Sequence, residues 1–263
     1  MKQYFKTCTV IATLLILLSS FSALMRSAQP PAGHTGATGV YCTQCHTNNP
    51  LNTGGGNVSV NGLPSIYTAG AAYNFSITIT HGVADRKRWG FEITAINGNG
   101  QVVGTFSSAN PNAALIGTSG ELGHLNAVIT ASQQSFTYDN LTWTAPINPG
   151  VADGTVTFYF ASNAANGPLG VATGDFIYAS TKVTTLAVVY TFTGNGNWDD
   201  PANWSNNTIP PAVLDVTSSI VIDPVAGGEC VLNVVQRVGS KVNFKVNDGK
   251  KLRILGDLII NNP

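Results

Sequence analysis

Charge is scarce in this chain. Of 263 residues only 13 are Lys or Arg and 13 are Asp or Glu, 10% in all, and the formal net charge is zero. An average soluble domain carries about 25% charged residues. No basic field is available to draw in a phosphate backbone, which excludes nucleic acid as a partner class. Cysteine is rare too, with 4 residues, and methionine rarer, with Met1 and Met25 alone. The G-x-S-x-G, H-E-x-x-H and P-loop patterns are absent, and Asp199 and Asp200 are turn neighbours rather than carboxylates facing one cleft. No enzymatic activity is therefore expected. Hydrophobic residues make up 43% of the chain, enough to build a core.

The longest apolar run, VIATLLILL at 10–18, is well short of the ~20 residues a spanning helix needs. Lys2 and Lys6 precede it, and Ser19, Ser20, Ser22 and Ala23 follow. That order of positive, apolar and small residues predicts a secretory signal peptide over 1–22, with a later cut near Ala28 as the alternative. The expected location is secreted or cell-surface, with membrane contact only through the signal segment before cleavage. Cys8 lies inside this leader and has no lipobox before it.

The remaining cysteines are Cys42, Cys45 and Cys230, an odd number that rules out a closed disulfide framework. Cys42, Cys45 and His46 form C-x-x-C-H, the pattern of covalent c-type haem attachment. Two thiols three residues apart reach the two vinyl groups of one porphyrin, and the adjoining imidazole then serves as the proximal iron ligand. Three other readings of the motif stay open: a Cys42–Cys45 disulfide, a redox pair, and a zinc site completed by a distant ligand. Met25 is the only methionine left for the sixth iron position, which disfavours His/Met ligation. The candidate distal ligands are His34 in the Gly-rich arm, His81 on the apolar register of the strand pattern at 73–79, and His124 in a Gly-rich segment.

From 56 to 186 the pattern is strand after strand with no helical periodicity. Tyr73, Phe75, Ile77 and Ile79 alternate with polar residues, as do Trp89, Phe91 and Ile93. Asn97-Gly98-Asn99-Gly100 predicts a hairpin turn, with 102–106 returning. Arg86-Lys87-Arg88 reads as a solvated loop. Further strands at 141–143, 156–160 and 176–183 bring the count to about seven or eight, that of an immunoglobulin-like β-sandwich.

The segments at 88–95 (RWGFEITA), 141–146 (LTWTAP) and 154–161 (GTVTFYFA) recur in that order with His124 between the first two. In this the chain resembles the Reeler (reelin N-terminal) sandwich, and more closely the bacterial surface domain called choice-of-anchor V, over about residues 33–186. The bacterial domains commonly open with a Gly-rich arm carrying Cys-x-x-Cys-His, matched by 36–46, and carry Asn-Ala-Ala-Asn-Gly, matched by 163–167. His124 matches a family histidine. The disulfides of the animal relatives do not transfer, because their cysteines are missing here. The resemblance implies a surface domain without enzymatic activity.

From 187 to 263 short apolar runs recur at a spacing of roughly ten residues, which predicts stacked β-rungs in a solenoid-like module or a small sheet. The chain stops where another rung is expected, so a truncated protein is anticipated. The expected organisation is thus a signal peptide (1–22), a Gly-rich arm with the motif (23–56), an all-β sandwich (57–186) and a β-rich module (187–263). Trp198 and Trp204 in the last are expected to be core residues, with sugar stacking as the alternative. The functional expectation is an exported surface protein with one haem c on Cys42, Cys45 and His46, transferring electrons to a redox partner protein. The competing expectation is a structural or adhesive module with a Cys42–Cys45 disulfide, binding a surface glycan.

Overall fold

The computed structural model describes residues 29–126, 128–151, 154–167, 173–214, 216–239 and 242–261, so the signal peptide expected at 1–22 and Met25 lie outside the described residues. The chain divides into two compact units, Met1–Thr184 and Thr185–Pro263. Both are built of β-structure, and no described helix is long and apolar enough to cross a membrane.

The first unit holds β1 (Asn57–Asn61), β2 (Ile66–Tyr67), β3 (Ala72–Thr80), β4 (Arg86–Asn97), β5 (Thr105–Ser108), β6 (Ala113–Ile116), β7 (Glu121–His124), β8 (Val128–Gln133), β9 (Ser135–Thr144), β10 (Val156–Ala165) and β11 (Phe176–Leu186). One sheet runs β1-β3-β9-β5; the other runs β2-β11-β10-β4-β7-β6, with β8 also pairing β4. Strand β3 shows the expected alternation, with Phe75, Ile77 and Ile79 buried and the residues between them at least partly exposed. The inner faces meet through aromatic edges. Trp143 stands edge-on to Phe158 at 4.8 Å, and Phe91 lies 4.6 Å from Tyr138, whose hydroxyl donates to the Trp89 carbonyl at 2.6 Å.

Three sequence expectations are corrected. The return of the hairpin lasts only to Val103, whose N–H donates to Ala95 O at 2.9 Å. Gly104, at φ +70°, then turns the chain into the opposite sheet, where β5 pairs β9; a Cβ there would lie 2.5 Å from Trp143 Nε1. Arg86 is not in a solvated loop: it is 4% exposed, opens β4 and is held by the Asp85 carboxylate at 2.6 and 2.7 Å. Strands β2, β6, β7 and β8 escaped the sequence pattern because runs of two to six residues, all apolar in Ala113–Ile116 and mixed in Glu121–His124, are too short to show an alternation.

Strand β4 departs from alternation altogether. From Trp89 to Ala95 every residue is buried, Gly90, Glu92 and Thr94 included, so both faces of its centre are covered. Trp89 and Phe91 face the other sheet, and the opposite face, with Glu92, lies beneath the N-terminal arm.

The second unit holds β12 (Val188–Phe192), β13 (Gly196–Asn197), β14 (Val213–Leu214), β15 (Ser218–Ile222), β16 (Cys230–Leu232), β17 (Val235–Gly239), β18 (Asn243–Val246), β19 (Leu252–Ile254) and β20 (Asp257–Asn261). Three parallel sheets, β12-β15-β18, β13-β16-β19 and β14-β17-β20, stack three successive coils. Apolar side chains at matching positions of each coil point inward, which closes a core of Phe192, Trp198, Trp204, Leu214, Ile220, Ile222, Cys230, Leu232 and Val238. Trp198 and Trp204 are 0% and 2% exposed, and the Trp204 indole donates to Trp198 O at 2.6 Å. Neither ring is available to stack on sugar. Burial pushes the Cys230 thiol up to about 12, so it is a small core residue.

Replacing Trp198 with Ala removes a ring packed 4.6 Å from Trp204 and 6.4 Å from Phe244. The expected cost is about 3–5 kcal/mol, read as a lowered denaturation midpoint for the second unit of the full chain. A change within experimental error would contradict its place in the core.

Candidate functional site

The arm lies across the outer face of the larger sheet. Gln29 donates to Leu115 O at 2.9 Å, and Pro30 Cγ sits where a Cβ on Gly123 would be, 2.8 Å away. The Gly33 N–H donates to Glu92 Oε1 at 2.8 Å and to Glu121 Oε2 at 2.9 Å, and the His34 N–H donates to Glu92 Oε1 at 3.2 Å. A turn over 36–40 follows, with the Gly36 N–H donating to Val40 O; Gly36 is at φ +93° under the Tyr41 ring, a place no side chain can take. Farther on, Asn52 pairs with β11: its N–H donates to Ile177 O at 2.9 Å and its Oδ1 accepts from the Ala179 N–H at 2.8 Å.

Between these anchors the motif forms one helical turn. Tyr41 is extended, Cys42–Gln44 coil as a 3-10 turn against β10, and the N–H groups of Cys45 and His46 both donate to Cys42 O, at 3.2 and 3.1 Å. The spacing of three residues on a 3-10 turn brings Cys42 and Cys45 into line, and His46 follows directly on the turn. Both thiols are free. Cys45 is exposed; Cys42 is partly buried and donates weakly to His34 O at 3.8 Å. Burial, then the Glu92 carboxylate, pushes the Cys42 thiol up to about 12.

His46 Nδ1 stands 2.8 Å from Asp175 Oδ2, with the ring 28% exposed and the carboxylate 2% exposed. Asn163 Nδ2 donates to the same oxygen at 3.2 Å. The backbone on either side of the carboxylate is also held: Asn49 Nδ2 donates to Asp175 O at 2.9 Å and Arg86 Nη1 to Gly174 O at 2.7 Å.

The three candidate distal histidines are placed differently. His34 adjoins the motif, but Nδ1 faces the carbonyls of Pro31 and Ala32 at 3.0 and 3.2 Å, and Nε2 faces Gln44 Oε1 at 2.8 Å. His81 belongs to another cluster. It is buried at the end of β3, with Nδ1 2.6 Å from the Tyr178 hydroxyl, Nε2 3.8 Å from Asp85 Oδ1 and its ring 4.6 Å from Phe176. His124 lies where the partner of β4 changes from β7 to β8, and its Nδ1 stands 3.2 Å from the Phe91 N and 3.3 Å from the Phe91 O. The ring covers Gly90, on which a Cβ would approach Cε1 to 2.8 Å. Burial lowers the His124 pKa to about 4, and His46 adds to the depression, so the ring is neutral.

Sequence reasoning passed over Glu92, Glu121 and Asp175. A glutamate inside an otherwise apolar strand, as in RWGFEITA, was the available signal for Glu92, since a buried acid needs donors from elsewhere in the chain. Asp175 carries no such mark.

The donor set fits a c-type haem on three observations: free thiols at both cysteines, one 3-10 turn that brings the two into line just before His46, and a His46 Nδ1 already engaged, which would leave Nε2 to face an iron. Among the described residues no group of three or more His, Cys, Asp or Glu is placed to hold a metal ion, the arrangement that a zinc site would need.

No family model matches the chain, and no curated protein does. Among solved structures it is similar to a human F-spondin reeler domain, 16% identical over 52% of this chain and 94% of that one, with a TM-score of 0.33. A second structure, the Reelin-N domain of F-spondin, is 15% identical over 56% and 98%, with a TM-score of 0.35. A cohesin module from a Clostridium perfringens family 33 glycoside hydrolase is 12% identical over 51% and 98%, with a TM-score of 0.33.

Burial, then the neighbouring Glu121, pushes the Glu92 carboxyl up to about 8 from its ordinary 4.5. A carboxyl whose folded pKa is raised binds more protons folded than unfolded, so its contribution is full below about 4.5 and lost as pH rises to about 8. Denaturation midpoints of the parent chain should fall across that window, and Glu92→Gln should flatten the fall. An equal slope in both chains would contradict the assignment.

Proposed function

We propose that this chain is an exported, cell-surface protein that carries one c-type haem on Cys42 and Cys45, with His46 as the proximal ligand, and works in electron transfer. A haem held there supplies a one-electron couple at the protein surface. The observation that carries the reading is the single 3-10 turn that holds two free thiols in line, with His46 directly after it. Support for export is the signal-like leader in the sequence; support for a surface role is the resemblance to choice-of-anchor V domains. Of the three candidate distal histidines, His124 is the one that would hold an iron together with His46, because its Nδ1 is on the Phe91 backbone and its ring covers Gly90. The partner is a redox protein, and no reaction on a substrate is assigned to the chain.

A second reading has an observation of its own. The arm is bound to the sheet through Gly33, His34, His46 and Asn52, a set of contacts that braces a structural or adhesive module without any cofactor.

The two readings separate on export of the full chain in cells with the c-type maturation machinery. A Soret band in the purified protein, lost when Cys42 and Cys45 are both replaced by Ser, is the result expected for the haem protein. A colourless parent whose double variant differs only in stability would overturn it in favour of the structural module.

A further inference from the structure

The acid that meets His46 is unusual in where its charge goes. Asp175 is 2% exposed, and its Oδ1 is buried with no hydrogen-bond partner among the described residues. The nearby cation does not neutralise it, since Arg86 is committed to the Asp85 carboxylate and the Gly174 carbonyl. Among the described residues, the groups that reach the carboxylate are His46 Nδ1 at 2.8 Å and the Asn163 amide at 3.2 Å. Asn163 Nδ2 is nearly equidistant from the two ring nitrogens, at 3.4 and 3.5 Å, and so is aligned with neither lone pair. A brace that only held the arm would work as well with a neutral amide, at less desolvation cost than a buried carboxylate. A retained charge on the far side of an imidazole is instead the arrangement that orients a metal-ligating histidine and raises its basicity.

We infer that Asp175 is the positioning residue of this site. Its carboxylate fixes the His46 ring in the Nδ1–H tautomer, leaves Nε2 unprotonated for the iron, and lends the ring anionic character that stabilises the oxidised metal. The inference rests on the haem reading for its last step and on the geometry alone for the first two. Asn49, Asn163 and Arg86 give the carboxylate a single position, as a ligand support requires.

Ring-nitrogen NMR of the isotope-labelled full chain, prepared free of haem at mildly alkaline pH, tests the first two steps. The expected state of His46 is the Nδ1–H tautomer, changing to Nε2–H in Asp175→Ala. Any other state in the parent ring overturns the inference whatever the variant does. The haem-loaded chain tests the last step: Asp175→Asn should move the reduction potential in the positive direction, while Asp223→Asn, whose carboxylate pairs with Lys250 in the other unit, should leave it where it was. A loaded Asp175→Asn chain with the parent's potential overturns the inference and leaves the haem reading standing. A parent that takes up no haem overturns that reading instead, and the tautomer then decides the role of Asp175.

Discussion

The hold of three buried carboxylates on the N-terminal arm is the constraint on which the site depends. Among the described residues, the buried Asp, Glu, Lys and Arg side chains are Arg86, Glu92, Glu121 and Asp175. Each of the three acids accepts a hydrogen bond from the arm, and Arg86 steadies the loop that carries Asp175. In a chain with so few acids, the concentration of three buried carboxyl groups beneath one segment is what makes that segment a fixed part of the sandwich. Without these acceptors the Gly-rich arm would have little with which to satisfy its backbone or to offset the entropy lost on docking.

From that constraint follow the features around it. The middle of β4 is buried on both faces because the arm covers the one that would otherwise be wet. Gly90 is small because the His124 ring lies on it, and His124 in turn satisfies the Phe91 backbone where one strand partner of β4 gives way to another. The Cys42–Gln44 turn comes to rest beside β10, whose Asn163 reaches the His46–Asp175 pair. The coiled second unit is held by an apolar core of its own. Its low charge is used in exposed or half-exposed pairs such as Lys250–Asp223 and Arg253–Glu229, and pairs of that kind contribute little to stability.

The sequence was most informative where one physical rule acts alone. Strand β3 alternates because one of its faces is wet, and the coils of the second unit repeat because each places apolar side chains in the same interior. Cys42, Cys45 and His46 stood out because their spacing is itself the chemistry. Legibility failed where two distant segments share a task. Nothing near Asp175 announces that it will meet a histidine 129 residues earlier. Arg86 looked like part of a basic loop because its partners, Asp85 and the Gly174 carbonyl, are recognisable only once the chain is folded. The crossing of β5 to the opposite sheet turns on the contact between Gly104 and Trp143, which local turn propensity does not contain.

Mass spectrometry of the proteolytic fragment containing Cys42–His46, cut from chain exported with c-type maturation, tests the central claim most directly. The account expects that fragment to be heavier by one haem, bound through both sulfurs. A fragment recovered with unmodified thiols, or lighter by two hydrogens as a Cys42–Cys45 disulfide, would contradict it.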